Sequence, residues 1–146
     1  MAAVSTYLNF ERETEAAFAF YKSVFDTEYT HEGIMRFGDI PSSDGVQPVA
    51  EEDKNLIMHV ELPILDGHLL MGSDAPGSMG FRVTKGNSVY IMLQPDTRVE
   101  TVKLFNALSE GGQIEQPLSD MFWGGFYGSL RDKFGIQWMF NCCEQI

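Results

Sequence analysis

Two stretches of this chain share one form. LDGHLLMGS (65–73) and DKFGIQWMF (132–140) each run from a glycine-containing turn into a short apolar segment with methionine at the same place. An internal repeat constrains the architecture before any other feature does, because each copy must fold as the same supersecondary unit. The rest of the chain supports one. VSTYLNF alternates and reads as a strand, and ERETEAAFAFYKSVF then places Ala17, Phe20, Tyr21, Val24 and Phe25 at helical spacing. Thr14 or an acidic neighbour can start that helix. EYTHEGIMRFG, NLIMHVELPI and, after an Asp66-Gly67 turn, HLLMGS follow as strands. In the second half SVYIMLQ is a strand and TRVETVKLFNALSE a helix closed by Gly111-Gly112, followed by the strands QIEQPL, GGFYGSLRD and GIQWMFNC.

Each half therefore reads strand, helix, three strands. Ser5-Thr6-Tyr7-Leu8-Asn9-Phe10 sets against Ser88-Val89-Tyr90-Ile91-Met92-Leu93, and Gly67–Met71 against Gly135–Met139. Phe20-Tyr21 falls on Leu104-Phe105 after one extra residue in the first half. The expected organisation is one domain over 1–146, with module one at about 1–74, a linker at about 75–86 and module two at about 87–146.

Composition narrows the partners. The net charge of −11 argues against nucleic acid, whose binding needs basic surface, and against anionic lipid. No apolar run approaches a membrane span. The opening MAAVSTYLNFERE has neither a basic leader nor a long apolar segment, so no signal peptide is expected. The two cysteines, Cys142 and Cys143, are adjacent and offer no disulfide framework, which fits a reducing cytoplasm.

Strand side chains alternate faces, and a helix must cover one apolar face of each half. Thr6, Leu8 and Phe10 take that face in the first strand, leaving Ser5, Tyr7 and Asn9 opposite. Leu56, Met58, Val60 and Leu62 take it later, leaving Ile57, His59 and Glu61. In the second half Val89, Ile91 and Leu93 leave Ser88, Tyr90 and Met92. Tyr127 and Ser129 fall opposite Phe126 and Leu130, and Gln137, Met139 and Asn141 opposite Ile136, Trp138 and Phe140. The uncovered faces thus mix tyrosine, amide, hydroxyl, methionine, His59 and Glu61, the composition of a pocket apolar in body with a few convergent polar groups. An ordinary polar sheet face is the alternative.

Two successive strand-helix-three-strand modules resemble the vicinal oxygen chelate superfamily, which includes glyoxalase I, extradiol dioxygenases and fosfomycin- and bleomycin-resistance proteins. YLNF with EAAFAFYKSVF, MRFGDIP, IMHVEL, MGSDAPG, LFNALSEGG and DKFGIQWMFNC look like its PhnB-like branch. The resemblance implies an α+β fold of two βαβββ modules forming an open, barrel-like curved sheet with the helices outside, and a homodimer. Some members carry the label 3-demethylubiquinone 3-methyltransferase. The residues do not support that activity: the first strand runs into ERETEAAF, which lacks the glycine-rich turn of the usual S-adenosylmethionine site.

Metal-dependent members take one ligand from the first and one from the fourth strand of each module, as His, Glu or Gln. Alignment puts Ser5, Met71, Ser88 and Met139 at those places. Hydroxyls and thioethers are poor donors for Ni, Zn, Mn or Fe(II), so neither a divalent metal nor another cofactor is expected. His59 and Glu61 share a face, but His31 and His68 are not expected to join them, and a catalytic metal normally has three protein ligands.

Other residues leave chemistry open. His59 beside Glu61 can serve as a general base, or simply as a hydrogen-bonded pocket histidine. Tyr7, Tyr90 and Tyr127 can donate to a ligand oxygen or stack. Trp123, in FWGGFYG, is a wall, a lid or a core aromatic. Arg36 is a candidate anion anchor or the partner of Asp39. The expected ligand is a small organic molecule, cationic or neutral, held at Ser5, Tyr7, Asn9, Met71, Ser88, Tyr90, Trp123, Tyr127 and Met139. The rival is a lyase, isomerase or dioxygenase working through His59 and Glu61, with or without a metal.

Overall fold

The computed structural model describes residues 1–30, 33–40 and 49–145. The chain forms two compact units, Met1–Val83 and Thr84–Ile146. The first runs β1 (Thr6–Phe10), α1 (Thr14–Phe25), β2 (Met35–Arg36), β3 (Ile57–Pro63) and β4 (Leu69–Asp74). The second runs β5 (Ile91–Leu93), α2 (Arg98–Ser109), β6 (Gln113–Asp120), β7 (Phe126–Arg131) and β8 (Gln137–Cys142). The repeat is thus real at the level of element order. It extends to topology: the sheets are ordered β1-β4-β3-β2 and β5-β8-β7-β6. In each, the first and last strands pair in parallel and the other pairs are antiparallel. The architecture is α+β with two four-stranded mixed sheets, and neither sheet closes into a barrel.

In the first unit α1 lies on β3 and β4. It buries Ala17, Phe18, Tyr21 and Val24, spaced to fall on one helical face, with Leu8, Phe10, Val60, Leu62 and Leu70 of the sheet. Each large side chain so buried contributes about 1.5–3 kcal/mol of hydrophobic free energy. Gly72 is in β4 because Phe18 needs the room: a Cβ there would meet its ring at 2.6 Å. The residue before α1, Glu13, gives no side-chain cap. The Asp74 carboxylate supplies it from β4, accepting the Thr14 amide at 3.0 Å and the Ile57 amide at 2.8 Å.

In the second unit Leu104, Phe105 and Leu108 of α2 are buried with Leu93, Leu130, Trp138 and Phe140. Phe105 meets Phe140 edge to face at 5.6 Å. Thr97 caps α2 by accepting the Glu100 amide. Buried Asp132 accepts the Phe134 and Ile136 amides and the Trp138 indole, fixing the turn into β8.

The expected facing holds along β1, where Leu8 and Phe10 are buried and Tyr7 and Asn9 exposed. It fails where β3 begins. Ile57 is buried and Met58 only half-buried, because pairing with β2 shifts register between Met35 and Arg36 and Asp74 holds the Ile57 amide. In the second half the strand begins at Ile91 rather than Ser88, leaving Ser88 and Val89 exposed ahead of it. The strand expected around EYTHEGIMRFG is reduced to Met35–Arg36, and His31 lies outside the described residues.

Candidate functional site

The strand pairings define what each uncovered face presents. In the first unit Tyr7 pairs with Met71 and Met71 with Glu61, so these three form a row across β1, β4 and β3. Asn9 lies beside Ser73, whose hydroxyl donates to the Asn9 side-chain oxygen at 3.4 Å. In the second unit the matching row is Met92, Met139 and Ser129.

This pairing corrects the sequence alignment by two residues. Met71 and Met139 correspond as expected, but their β1 and β5 neighbours are Tyr7 and Met92. Tyr90, not Ser88, therefore answers to Ser5. A two-residue slip keeps every side chain on its own face, which is why the facing of Tyr90 and Met92 survives while the match to Ser88 does not.

The first face carries a hydrogen-bonded chain. Tyr7 Oη lies 3.1 Å from His59 Nδ1, and His59 Nε2 lies 3.0 Å from Glu61 Oε1. An ionised Glu61 carboxylate only accepts, so Nε2 donates to it, and on a neutral imidazole Nδ1 then accepts the Tyr7 hydroxyl. Tyr7 reaches over β4 to do this, its ring stacked on the imidazole at 5.7 Å and 29°. Side-chain exposure is 25% for His59 and 23% for Glu61, and Tyr7 is 46% exposed. The chain thus ends on its most accessible member. His68 is elsewhere, at 2.9 Å from the Thr6 hydroxyl. Ser5 precedes β1 and is half-buried.

The second face carries a closed ring of three. The Gln137 amide donates to Tyr90 Oη and to Glu115, each at 2.8 Å, and Tyr90 donates to the other Glu115 oxygen at 2.8 Å. The Glu115 hydrogen bond, followed by desolvation, raises the Tyr90 pKa above the ordinary phenol value. Gln137 is buried, and its Oε1 has no partner among the described residues. Glu115 was not foreseen: β6 is almost wholly exposed, so QIEQPL carries no facing signal. Trp123 donates its indole N–H to Asn141 Oδ1 at 3.3 Å and meets Tyr127 edge to face at 5.8 Å. It is half exposed, which excludes the core-aromatic alternative. A separate surface cleft of about 490 Å3, lined by Gln94, Pro95, Asp96, Asn141, Cys143 and Glu144, shares only Asn141 with these groups.

Arg36 is not a free anion anchor. Its guanidinium grips Glu15 through two parallel hydrogen bonds of 2.9 and 2.8 Å, while Asp39 instead accepts the Arg36 backbone amide. Hydrogen bonding to Arg36 lowers the Glu15 pKa. Among the described residues no group of three or more His, Cys, Asp and Glu side chains is arranged to hold a metal ion. With Tyr90 in place of Ser88, the four positions drawn from the metal-dependent pattern hold a serine hydroxyl, a phenol and two thioethers, a donor set that does not fit a divalent ion. No helix among the described residues is long and apolar enough to cross a membrane.

Residues 2–140 match the family model described as 3-demethylubiquinone-9 3-methyltransferase. An S-adenosylmethionine site of the usual kind does not fit here. β1 passes into α1 through Glu11, Arg12 and Glu13 without a glycine, and only one strand pair in each sheet is parallel. The structure of protein PA1353 from Pseudomonas aeruginosa is similar at TM-score 0.81 and 32% identity, over 97% of this chain and 98% of that one. A PhnB protein from Bacillus cereus is similar at TM-score 0.72 and 26% identity, over 97% and 99%. A glyoxalase/bleomycin resistance protein/dioxygenase family enzyme from Burkholderia phytofirmans shares the fold at TM-score 0.63 and 16% identity, over 97% and 100%. The chain belongs to the PhnB-like branch of the vicinal oxygen chelate superfamily, the family described as 3-demethylubiquinone-9 3-methyltransferase.

Proposed function

We propose that this protein binds a small organic molecule on its uncovered sheet faces, without a resident divalent metal or S-adenosylmethionine. The supporting observation is the row Tyr7, Met71, Glu61 with His59 beside it. Apolar and aromatic surface lies there next to a few polar groups that are already oriented by one another. Asn9 at Ser73 extends that face, and Tyr90, Met139, Tyr127 and Trp123 furnish the second. Ser5 and Ser88 are the weakest members of the set, since both lie outside strands. The acidic balance favours a cationic or neutral ligand over a phosphate. A cytoplasmic homodimer is the form proposed to act.

The test is a metabolite library screened by thermal shift on the wild type and on Met71→Arg, with metal analysis of protein purified without chelator. A ligand at a hundredfold excess over its Kd stabilises by about 2.7 kcal/mol, which raises Tm visibly. A hit lost in Met71→Arg and no stoichiometric metal are expected. One metal equivalent per chain, lost in His59→Ala or Glu61→Ala, would overturn the metal-free reading.

A second reading has its own support. The 3.0 Å contact between His59 and Glu61 is the geometry of an oriented general base, so a lyase or isomerase of the same superfamily is the alternative.

A further inference from the structure

We infer that Tyr7 is the group that exchanges a proton with the bound molecule, with His59 as the base behind it and Glu61 as the residue that positions His59. The inference rests on the first uncovered face being the binding face, and it names the chemistry of that face. The three side chains come from β1 and β3, with β4 between them, and with Glu61 ionised and the imidazole neutral they line up in one direction: phenol to Nδ1, then Nε2–H to carboxylate. This is the polarity of a nucleophile, a base and an orienting acid, with a phenol in the first place. His59 is the inner member, because both its nitrogens are engaged, and Tyr7 is the most exposed. A ligand therefore meets Tyr7 before it meets His59 or Glu61.

The step balances without any added reagent. A weakly acidic O–H, or a C–H beside a carbonyl, gives its proton to Tyr7 Oη. The hydrogen already on Tyr7 passes to His59 Nδ1. The resulting imidazolium stands against the Glu61 carboxylate, and the electron pair of the broken bond stays on the ligand. The ligand class this favours is a neutral molecule bearing an acidic hydroxyl or an enolisable carbonyl. Met71, between Tyr7 and Glu61, supplies apolar surface beneath it.

The experiment uses the full chain and an aryl sulfonyl fluoride as probe. The Tyr7 oxygen displaces fluoride from sulfur and passes its proton to His59, and peptide mass mapping reads the labelled site. Tyr90 is the internal control, since its hydroxyl donates to a carboxylate rather than to a nitrogen base. General-base assistance is worth about 10²–10⁴-fold, so Tyr7 is expected to label at least about tenfold faster than Tyr90. In His59→Gln that advantage is expected to disappear while the Tyr90 rate stays unchanged. Equal labelling of the two tyrosines in the wild type, or an undiminished Tyr7 rate in His59→Gln, overturns the inference. Should His59→Gln not fold, long-range proton–nitrogen spectra of the wild-type imidazole decide. A proton on Nε2 with Nδ1 accepting supports the inference, and a proton on Nδ1 overturns it. Neither readout needs a ligand. The inference can therefore fail while library hits uphold the binding reading, and a library without hits leaves the labelling result intact.

Discussion

Asp74, the last residue of β4, holds the first turn of α1 by accepting the Thr14 amide, and the same carboxylate holds the Ile57 amide at the start of β3. One buried side chain thereby joins three elements of the first unit. Asp74→Ala leaves both donors buried and unpaired and is expected to cost about 2–4 kcal/mol in urea unfolding, combining a lost cap with two lost charge-assisted bonds. Asp74→Asn keeps an acceptor but loses the charge, and should fall between the two.

Thr14 itself offers the opposite sign. Its hydroxyl is buried without a partner among the described residues. Thr14→Val removes that unmet group at nearly constant volume, and should stabilise the protein by about 1 kcal/mol, measured by the same unfolding.

Gly72→Ala should destabilise by about 1–3 kcal/mol through overpacking. The new methyl would stand 2.6 and 2.9 Å from two carbons of the buried Phe18 ring. Pairing it with Phe18→Leu should recover part of the loss, so that the double-mutant cycle reports a favourable coupling between the two sites.

The Tyr90–Glu115 bond sets an alkaline limit. Because the folded phenol titrates above its unfolded value, the stability this bond contributes is complete below the ordinary phenol pKa of about 10 and is lost as pH rises through the raised folded value. Melting temperature followed through that range should show the loss in the wild type. In Tyr90→Phe this portion of the pH dependence should vanish.

Trp123 rests on a missing side chain. A methyl at Gly125 would overlap Asn141 Oδ1 and lie 2.5 Å from the Trp123 indole nitrogen. Gly125→Ala should therefore detach Trp123 from Asn141. Iodide quenching should rise for Trp123, while buried Trp138 gives an unchanged background.

These sites differ in how far the sequence announced them. The order of elements was legible because alternation and helical spacing are local properties, and both helices formed where the apolar spacing placed them. The sharing of a face by His59 and Glu61 was legible for the same reason. Pairing register was not. Matching Ser5 to Ser88 followed residue identity, whereas strand contact in β5 and β8 follows Met92 and Met139. The link from Tyr7 to His59 required knowing that β4 inserts between β1 and β3, a fact of long-range topology. Arg36 was read against its near neighbour Asp39, yet its guanidinium turned to Glu15 on α1. Glu115 left no trace, because an exposed edge strand has no buried side to set a rhythm.

The parallel pairing of β1 with β4 carries a consequence for biosynthesis. Thr6 is made before Leu70, its partner, and must wait for it to leave the ribosome before the sheet can be completed. Until then β1 has no neighbour to satisfy its backbone, and α1 has only part of the surface it will cover. Loop closure over so long a span is slow, so β1 is expected to join the sheet of the first unit late in folding.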